Sequence, residues 1–185
     1  MGLGLATEAG SVASIYHVLS HAATKSLLFV AASGLADASG GSDRFRDITG
    51  AGLRNKLAGI AFMAGSLSMV GMPMFSGFIS KLFFAQAAVG HAHKMFPTFI
   101  ALAISTILNA IYFMKTVIRI YTPMQKKEGV EGEAETGRVE GRSIPIREQP
   151  VKSAALICFI VLNLMLGLNS DPLIRLIQSG IEMFD

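Results

Sequence analysis

Three ionisable residues, His17, His21 and Lys25, stand four positions apart in a stretch that is otherwise largely apolar. At about 100° per residue, each step of four passes a full turn by about 40°, so the three stack along one helical face. Successive rungs are about 6 Å apart along the axis, too far for direct hydrogen bonds along the ladder. With water or a partner helix between the rungs, such a ladder can relay protons. Imidazole titrates near neutrality and can donate through one nitrogen while accepting through the other. A lysine withdrawn from water holds its charge less firmly, so a neighbouring charge can toggle it. A charged lysine at the centre of an apolar helix costs about 2.5 to 3.5 kcal/mol on insertion scales, and such residues are usually paired or functional.

A second candidate is Lys81, at the end of Gly71-Met-Pro73-Met-Phe-Ser-Gly77-Phe-Ile-Ser-Lys81. Proline restrains the residue before it and cannot continue the hydrogen-bond ladder, so Gly71, Pro73 and Gly77 predict a helix break or a tight turn. An interrupted helix frees backbone N–H and C=O groups, which a membrane tolerates only around water or protein. Transporter sites are often built this way. Lys115 lies about two turns inside the end of its apolar stretch, and Arg119 one turn further on reads as snorkelling to the interface. The proposed proton relay is therefore His17, His21, Lys25, Lys81 and Lys115. Other readings stay open: His17 and His21 share a face as haem or metal ligands do, or as hydrogen-bonded structural residues do. Lys25 and Lys81 can also be interfacial. A lysine one turn on is a poor companion for a metal, and no metal or cofactor is predicted. His91 and His93 beside Lys94 read as surface residues, the methionines as packing, and Cys158 as a small core residue.

These residues need apolar helices to hold them. Of 185 residues, 51% are hydrophobic and 16% charged, with mean hydropathy +0.51; soluble domains carry about 25% charge. With 19 Gly and 10 Met, this composition suits an all-α integral membrane protein and argues against a cytosolic enzyme. One cysteine excludes a disulfide scaffold. The net charge of +3 and the pI of 9.2 rest largely on loops and predict no nucleic-acid partner. Five apolar stretches, about 11–36, 57–72, 75–89, 96–121 and 153–168, predict about five transmembrane helices, one of them discontinuous. Residues 1–121 hold four of them with the relay. Residues 122–152 form a charged Gly/Glu-rich loop with six basic and six acidic residues, read as solvated and mobile. Residues 153–185 hold the last crossing and, after Ser170-Asp171-Pro172, a short amphipathic helix lying at the interface. The first stretch lacks a basic leader and cleavage site, so no signal peptide is predicted. Lysine and arginine counts leave the orientation tied. No nucleotide loop, cysteine cluster or nucleophile with a base stands in the sequence.

His17-Val-Leu-Ser-His21-Ala-Ala-Thr-Lys25-Ser-Leu-Leu-Phe29 resembles the His-x3-His-x3-Lys-x2-Leu-Phe helix of the antiporter-like proton-translocating subunits. The segment from Ser66 to Lys81 resembles the same family's Gly-x-Pro-x-Phe-Ser-Gly-Phe-x-Ser-Lys segment, in the same order along the chain. The family includes the L, M and N subunits of respiratory complex I, the A and D subunits of Mrp-type cation/proton antiporters and membrane subunits of energy-converting hydrogenases. The stretch from Ser105 to Phe113 is most similar to the Mrp D-type branch. Full members have about fourteen transmembrane helices with two inverted five-helix repeats, and this sequence resembles about the last five, a partial inverted-repeat fold. The family's glutamate and lysine of the first half-channel have no counterpart, nor has the lysine on the helix preceding the His-His-Lys helix. Met1 is then the start of a split subunit or of a truncated frame. The resemblance implies Lys25, with His17 and His21, as a central relay and Lys81 as the exit-side lysine. It implies proton translocation, with sodium coupling open, in a multi-pass protein of a prokaryotic plasma membrane. The implied partners are lipid and other membrane subunits, including the missing N-terminal half; the long loop would be cytoplasmic. Redox chemistry, if the parent complex is an oxidoreductase, would belong to other chains. A non-conducting scaffold subunit and a haem-binding membrane anchor are the alternatives.

Overall fold

The computed structural model describes residues 2–42, 44–89, 92–123 and 149–183, and their regular structure is helical throughout. The helices are α1 (Gly2–Leu5), α2 (Glu8–Asp37), α3 (Ala51–Arg54), α4 (Lys56–Val70), α5 (Ser76–Val89), α6 (Ala92–Tyr121), α7 (Pro150–Leu168) and α8 (Asp171–Glu182). Local chemistry sets several ends. Thr7 is extended and accepts a hydrogen bond from the Gly10 N–H, so α2 starts earlier than its apolar run. Asn55 caps α4 in the same way through the Ala58 N–H. Gly71 closes α4 with φ 91°, a left-handed conformation that glycine adopts without steric cost.

Three single helices, α2, α6 and α7, are long and apolar enough to cross a membrane. The sequence predicts about five. The second and third apolar stretches became α4 and α5, only 15 and 14 residues long. At 1.5 Å per residue each spans about 21–23 Å, short of a hydrocarbon core of about 30 Å.

Their packing shows how the two short helices are used. Going down α2, Gly34 meets Ala58, Leu28 meets Gly65, Thr24 meets Ser68, His17 meets Ser80 and Tyr16 meets Phe83. The partner numbers rise through α4 and on into α5, so the two lie end to end, antiparallel to α2. On α6 the same order holds: Phe113 packs on Phe62 and Thr106 on Lys81. Helix α7 runs antiparallel to α2, with Lys152 at Asp37, Asn163 at Thr24 and Leu166 at Tyr16.

One apolar cluster, including Leu27, Leu28, Ala31, Leu35, Ala61, Phe62, Phe113, Ile120 and Leu156, locks α2, α4, α6 and α7 together. Small residues let the backbones approach, as membrane helices require. A Cβ on Gly65 would lie 2.8 Å from Leu28. The outward faces of α6 and α7 stay apolar and exposed, as Ile104, Ile107, Ile111, Val161 and Met165 illustrate.

Three sequence expectations need correcting here. The first concerns what the apolar face of α8 meets: Leu173, Ile174, Ile177 and Ile181 pack with Val12, Tyr16, Ile79 and Phe83 of α2 and α5, so that face is covered at least in part by protein. Cys158 is exposed, because it falls on the outward side of α7. Arg119 does not simply snorkel: its guanidinium stacks 4.5 Å over the Phe45 ring and donates to Thr49 Oγ1, pinning the loop before α3. His91 and residues 124–148 of the charged loop lie outside the described residues.

Candidate functional site

The site forms where α4 stops and α5 starts. Ending α4 at Val70 orphans its last carbonyls, and starting α5 at Ser76 orphans its first N–H groups. Side chains answer both. At the carbonyl end, Lys81 reaches back one helix: its Nζ donates to the Val70 carbonyl at 2.6 Å, to Thr106 Oγ1 at 2.8 Å and to the Met69 carbonyl at 3.4 Å. A cation at a helix C-terminus is favoured by the macrodipole. Gly71 leaves room for it, since a Cβ there would come 3.0 Å from the lysine side chain. Pro73 lies in the connection itself, and Gly77 sits in the first turn of α5.

At the N–H end, four helices contribute one neutral residue each: Thr24 from α2, Ser68 from α4, Ser76 from α5 and Asn163 from α7. All are at most 1% exposed. Asn163 Nδ2 donates to Thr24 Oγ1 at 2.7 Å, and Ser76 donates to Asn163 Oδ1 at 3.1 Å. Thr24 spends its own proton on the Ser20 carbonyl, so Ser68 is the donor across the 3.2 Å contact to Thr24. Ser68 Oγ in turn accepts from the Gly77 N–H at 3.3 Å, satisfying a donor that the break had freed. Glycine is required at two of these contacts: a Cβ on Gly77 would lie 1.9 Å from the Ser68 carbonyl oxygen, and one on Gly167 would lie 2.1 Å from that of Met74.

Between α2, the break and α6 lies a polar cavity of about 130 Å³, with His17, Ser20, His21, Thr24, Lys81 and Asn109 among its walls. A water occupies about 30 Å³ of liquid volume, so this space is large enough for a few waters and offers them polar partners. His17 Nδ1 lies 2.6 Å from Ser80 Oγ, and the His17 and His21 rings are 5.4 Å apart between centroids. The cavity thus brings Lys81 together with His17 and His21, which stand 60 or more positions before it in the sequence. It does not include Lys25 or Lys115. Lys115 is nine residues beyond Thr106, half a turn out of phase at about 100° per residue, and points away from Lys81.

Burial of the ionisable residues is not found. His17, Lys25 and Lys115 are exposed, and His21 and Lys81 are partly exposed. Helical phase explains the ladder. The packed face of α2 carries Tyr16, Ser20, Ala23, Leu27 and Ala31. A four-residue repeat drifts about 40° per step from that stripe. His17 still touches Ser80 and Phe84 on α5, His21 reaches only the cavity, and Lys25 makes no hydrogen bond or ion pair among the described residues.

Sequence reasoning missed Ser80, Thr106 and the Thr24–Ser68–Ser76–Asn163 ring. One signal was present: Asn163 is the lone polar side chain within the apolar run from Ala154 to Leu168, and an amide there demands partners. Nothing in the sequence distinguishes Thr106 from its neighbours Ser105 and Asn109.

Comparison with known proteins agrees with this architecture. The family model described as NADH:quinone oxidoreductase/Mrp antiporter, TM, matches residues 1–108. NADH-quinone oxidoreductase subunit N of Desulforudis audaxviator is 33% identical over 135 residues, covering 71% of this chain and 26% of that protein. Na(+)/H(+) antiporter subunit A1 of Staphylococcus epidermidis is 28% identical over 137 residues, covering 68% of this chain and 17% of that protein. A chain of the Mrp complex from Dietzia sp. DQ12-45-1b shares the fold, with TM-score 0.76 at 23% identity over 96% of this chain and 38% of that one. The chain therefore spans about a quarter of the length of the first of these relatives. With more than half of its residues matched by the family model, this membrane protein belongs to the NADH:quinone oxidoreductase/Mrp antiporter transmembrane family.

Proposed function

We propose that this chain is the distal, ion-translocating part of an antiporter-like subunit, moving protons within a multisubunit complex of a prokaryotic plasma membrane. The observation that carries the reading is Lys81, a cation held on the last carbonyls of a broken helix, facing His17 and His21 across one polar cavity. A lysine so placed has defined partners for its charged form, while water and imidazole within the cavity offer proton donors and acceptors. In this reading α4 and α5 count as one discontinuous crossing, so α2, α4–α5, α6 and α7 make four crossings, part of one repeat of an inverted-repeat fold. Protons pass between the His17–His21 pair and Lys81 through cavity water. Lys25 and Lys115 exchange protons with groups outside this segment, namely the remaining helices of the subunit or neighbouring subunits. Sodium is the coupled ion where the parent complex is a cation antiporter.

The test is coupled transport in the reconstituted complex. Lys81→Ala is expected to reduce proton flux at least tenfold, and Lys25→Ala to do the same without disturbing assembly. Flux at the parent level in both variants would refute the reading.

A second reading, a non-conducting scaffold segment, is favoured by one observation: Lys25 and Lys115 have no hydrogen-bond or ion-pair partner among the described residues. Under it, both alanine variants would assemble and transport normally, while substitutions in the packed core would abolish assembly.

A further inference from the structure

The charged Lys81 has three N–H donors and three acceptors, and the three are not alike. The Met69 and Val70 carbonyls can only accept. Thr106 Oγ1, at 2.8 Å, belongs to a hydroxyl that can accept or donate. When Lys81 gives up its proton it keeps two donors and gains a lone pair, which no carbonyl can meet. A hydroxyl meets it by turning its O–H toward the amine.

Thr106 is free to make that turn. Several hydroxyls in or just beyond these helices are spent on the carbonyl four residues back: Thr24 on Ser20, Ser39 on Leu35, Ser66 on Phe62, Thr116 on Tyr112 and Thr122 on Ile118. Thr106 is inside α6, where the Leu102 carbonyl is the corresponding acceptor, yet its one hydrogen bond among the described residues is to Lys81. Its hydroxyl proton is uncommitted. Ser105 beside it lines the cavity, so a proton passed at this point has a water-sized space within reach.

We infer that Thr106 is a positioning residue for Lys81, accepting from the ammonium and donating to the neutral amine, so that the nitrogen stays at the helix break through both protonation states. This rests on the reading of Lys81 as a proton carrier. It gives α6 a role in the transport step beyond packing.

The experiment compares Thr106→Val, Thr106→Ser and Lys81→Ala in the intact reconstituted complex, recording proton transport across a pH series. Valine has the shape of threonine without the hydroxyl. Removing an acceptor from a charged donor outweighs removing a donor to a neutral one, so the charged form loses more. The pH profile of Thr106→Val is expected to move about one unit toward acid, and Thr106→Ser is expected to keep the parent profile. Thr106→Ala serves as a second hydroxyl-free variant, with the same acid shift expected, should the valine variant fail to assemble. An unshifted profile in the hydroxyl-free variants, or an equal shift in Thr106→Ser, overturns the inference. Lys81→Ala separates the two levels. Transport abolished by Lys81→Ala but indifferent to Thr106→Val removes the role of Thr106 alone. Transport surviving Lys81→Ala removes the reading beneath it and the inference with it.

Discussion

The polar ring at the helix break and the ionisable ladder both draw on α2, and they end in opposite states. Thr24, Ser68, Ser76 and Asn163 are buried in the bundle, with their hydrogen bonds met by one another and by the adjacent backbone of Ser20 and Gly77. His17, His21 and Lys25 begin beside the same packed face and turn out of it. The difference is one of what each kind of group needs. A neutral hydroxyl or amide is satisfied by one or two hydrogen bonds, which neighbouring helices can supply at fixed geometry. An ion needs countercharge or water, and the apolar core at the centre of the bundle offers neither. Lys81 stands between the two cases: it is charged, but the oriented carbonyls of a stopped helix take the place of a countercharge.

The largest effect is expected from breaking the close approach on which the ring depends. Gly77→Ala would drive a methyl group into the Ser68 carbonyl, and Gly167→Ala into that of Met74. These are backbone atoms that cannot swing aside, so each change should cost about 3 kcal/mol or more, at the upper end of overpacking penalties. Thermal unfolding in detergent measures it, and a Gly77→Ala variant as stable as the parent would contradict the packing described here.

A smaller effect follows from opening the ring without filling it. Asn163→Leu removes two hydrogen bonds and leaves the Ser76 hydroxyl without its acceptor, a loss of about 1–3 kcal/mol. The control is Asn109→Leu, whose side chain is partly exposed and has one long bond of 3.4 Å to Ser105. It should change stability by less than about 0.5 kcal/mol. Equal losses in the two variants would mean that burial of the amide does not matter.

The smallest effect is expected on the ladder. Lys25→Ala should change stability by about 0.5 kcal/mol or less, leaving the midpoint of thermal unfolding within the scatter of repeated scans, because no described partner is lost. A marked destabilisation would show that Lys25 is tied down within this chain and would erase the contrast with the ring.

Much of the helical framework was legible because its signals are local. Long apolar runs predicted α2, α6 and α7, and Ser170-Asp171-Pro172 marked the start of α8. Gly71 and Pro73 stand between α4 and α5 because left-handed φ and a missing N–H act on the residues that carry them. Boundaries were less legible. The cap Thr7 carried α2 back to Glu8, and α6 begins at Ala92 ahead of Pro97, which the first turns of a helix tolerate more readily than its middle. The candidate site was legible in its ionisable members and in the glycines and proline of its break, but not in its neutral side chains. The contact between Asn163 and Thr24 joins residues 139 positions apart, and that between Lys81 and Thr106 joins two helices. No periodicity reports such pairs.

By itself the sequence determined that this is a helical membrane chain, where its helix breaks, and which few residues carry charge into apolar surroundings. Those properties follow from composition and from backbone chemistry within a turn or two. Only the tertiary structure decided that the two short helices lie end to end along α2, that Lys81 caps the first of them, and that the ladder turns outward while four neutral residues close up inside. Each of these depends on the rotational phase of one helix against another. Side-chain volumes and glycine contacts across the whole bundle set that phase, and no single segment contains it.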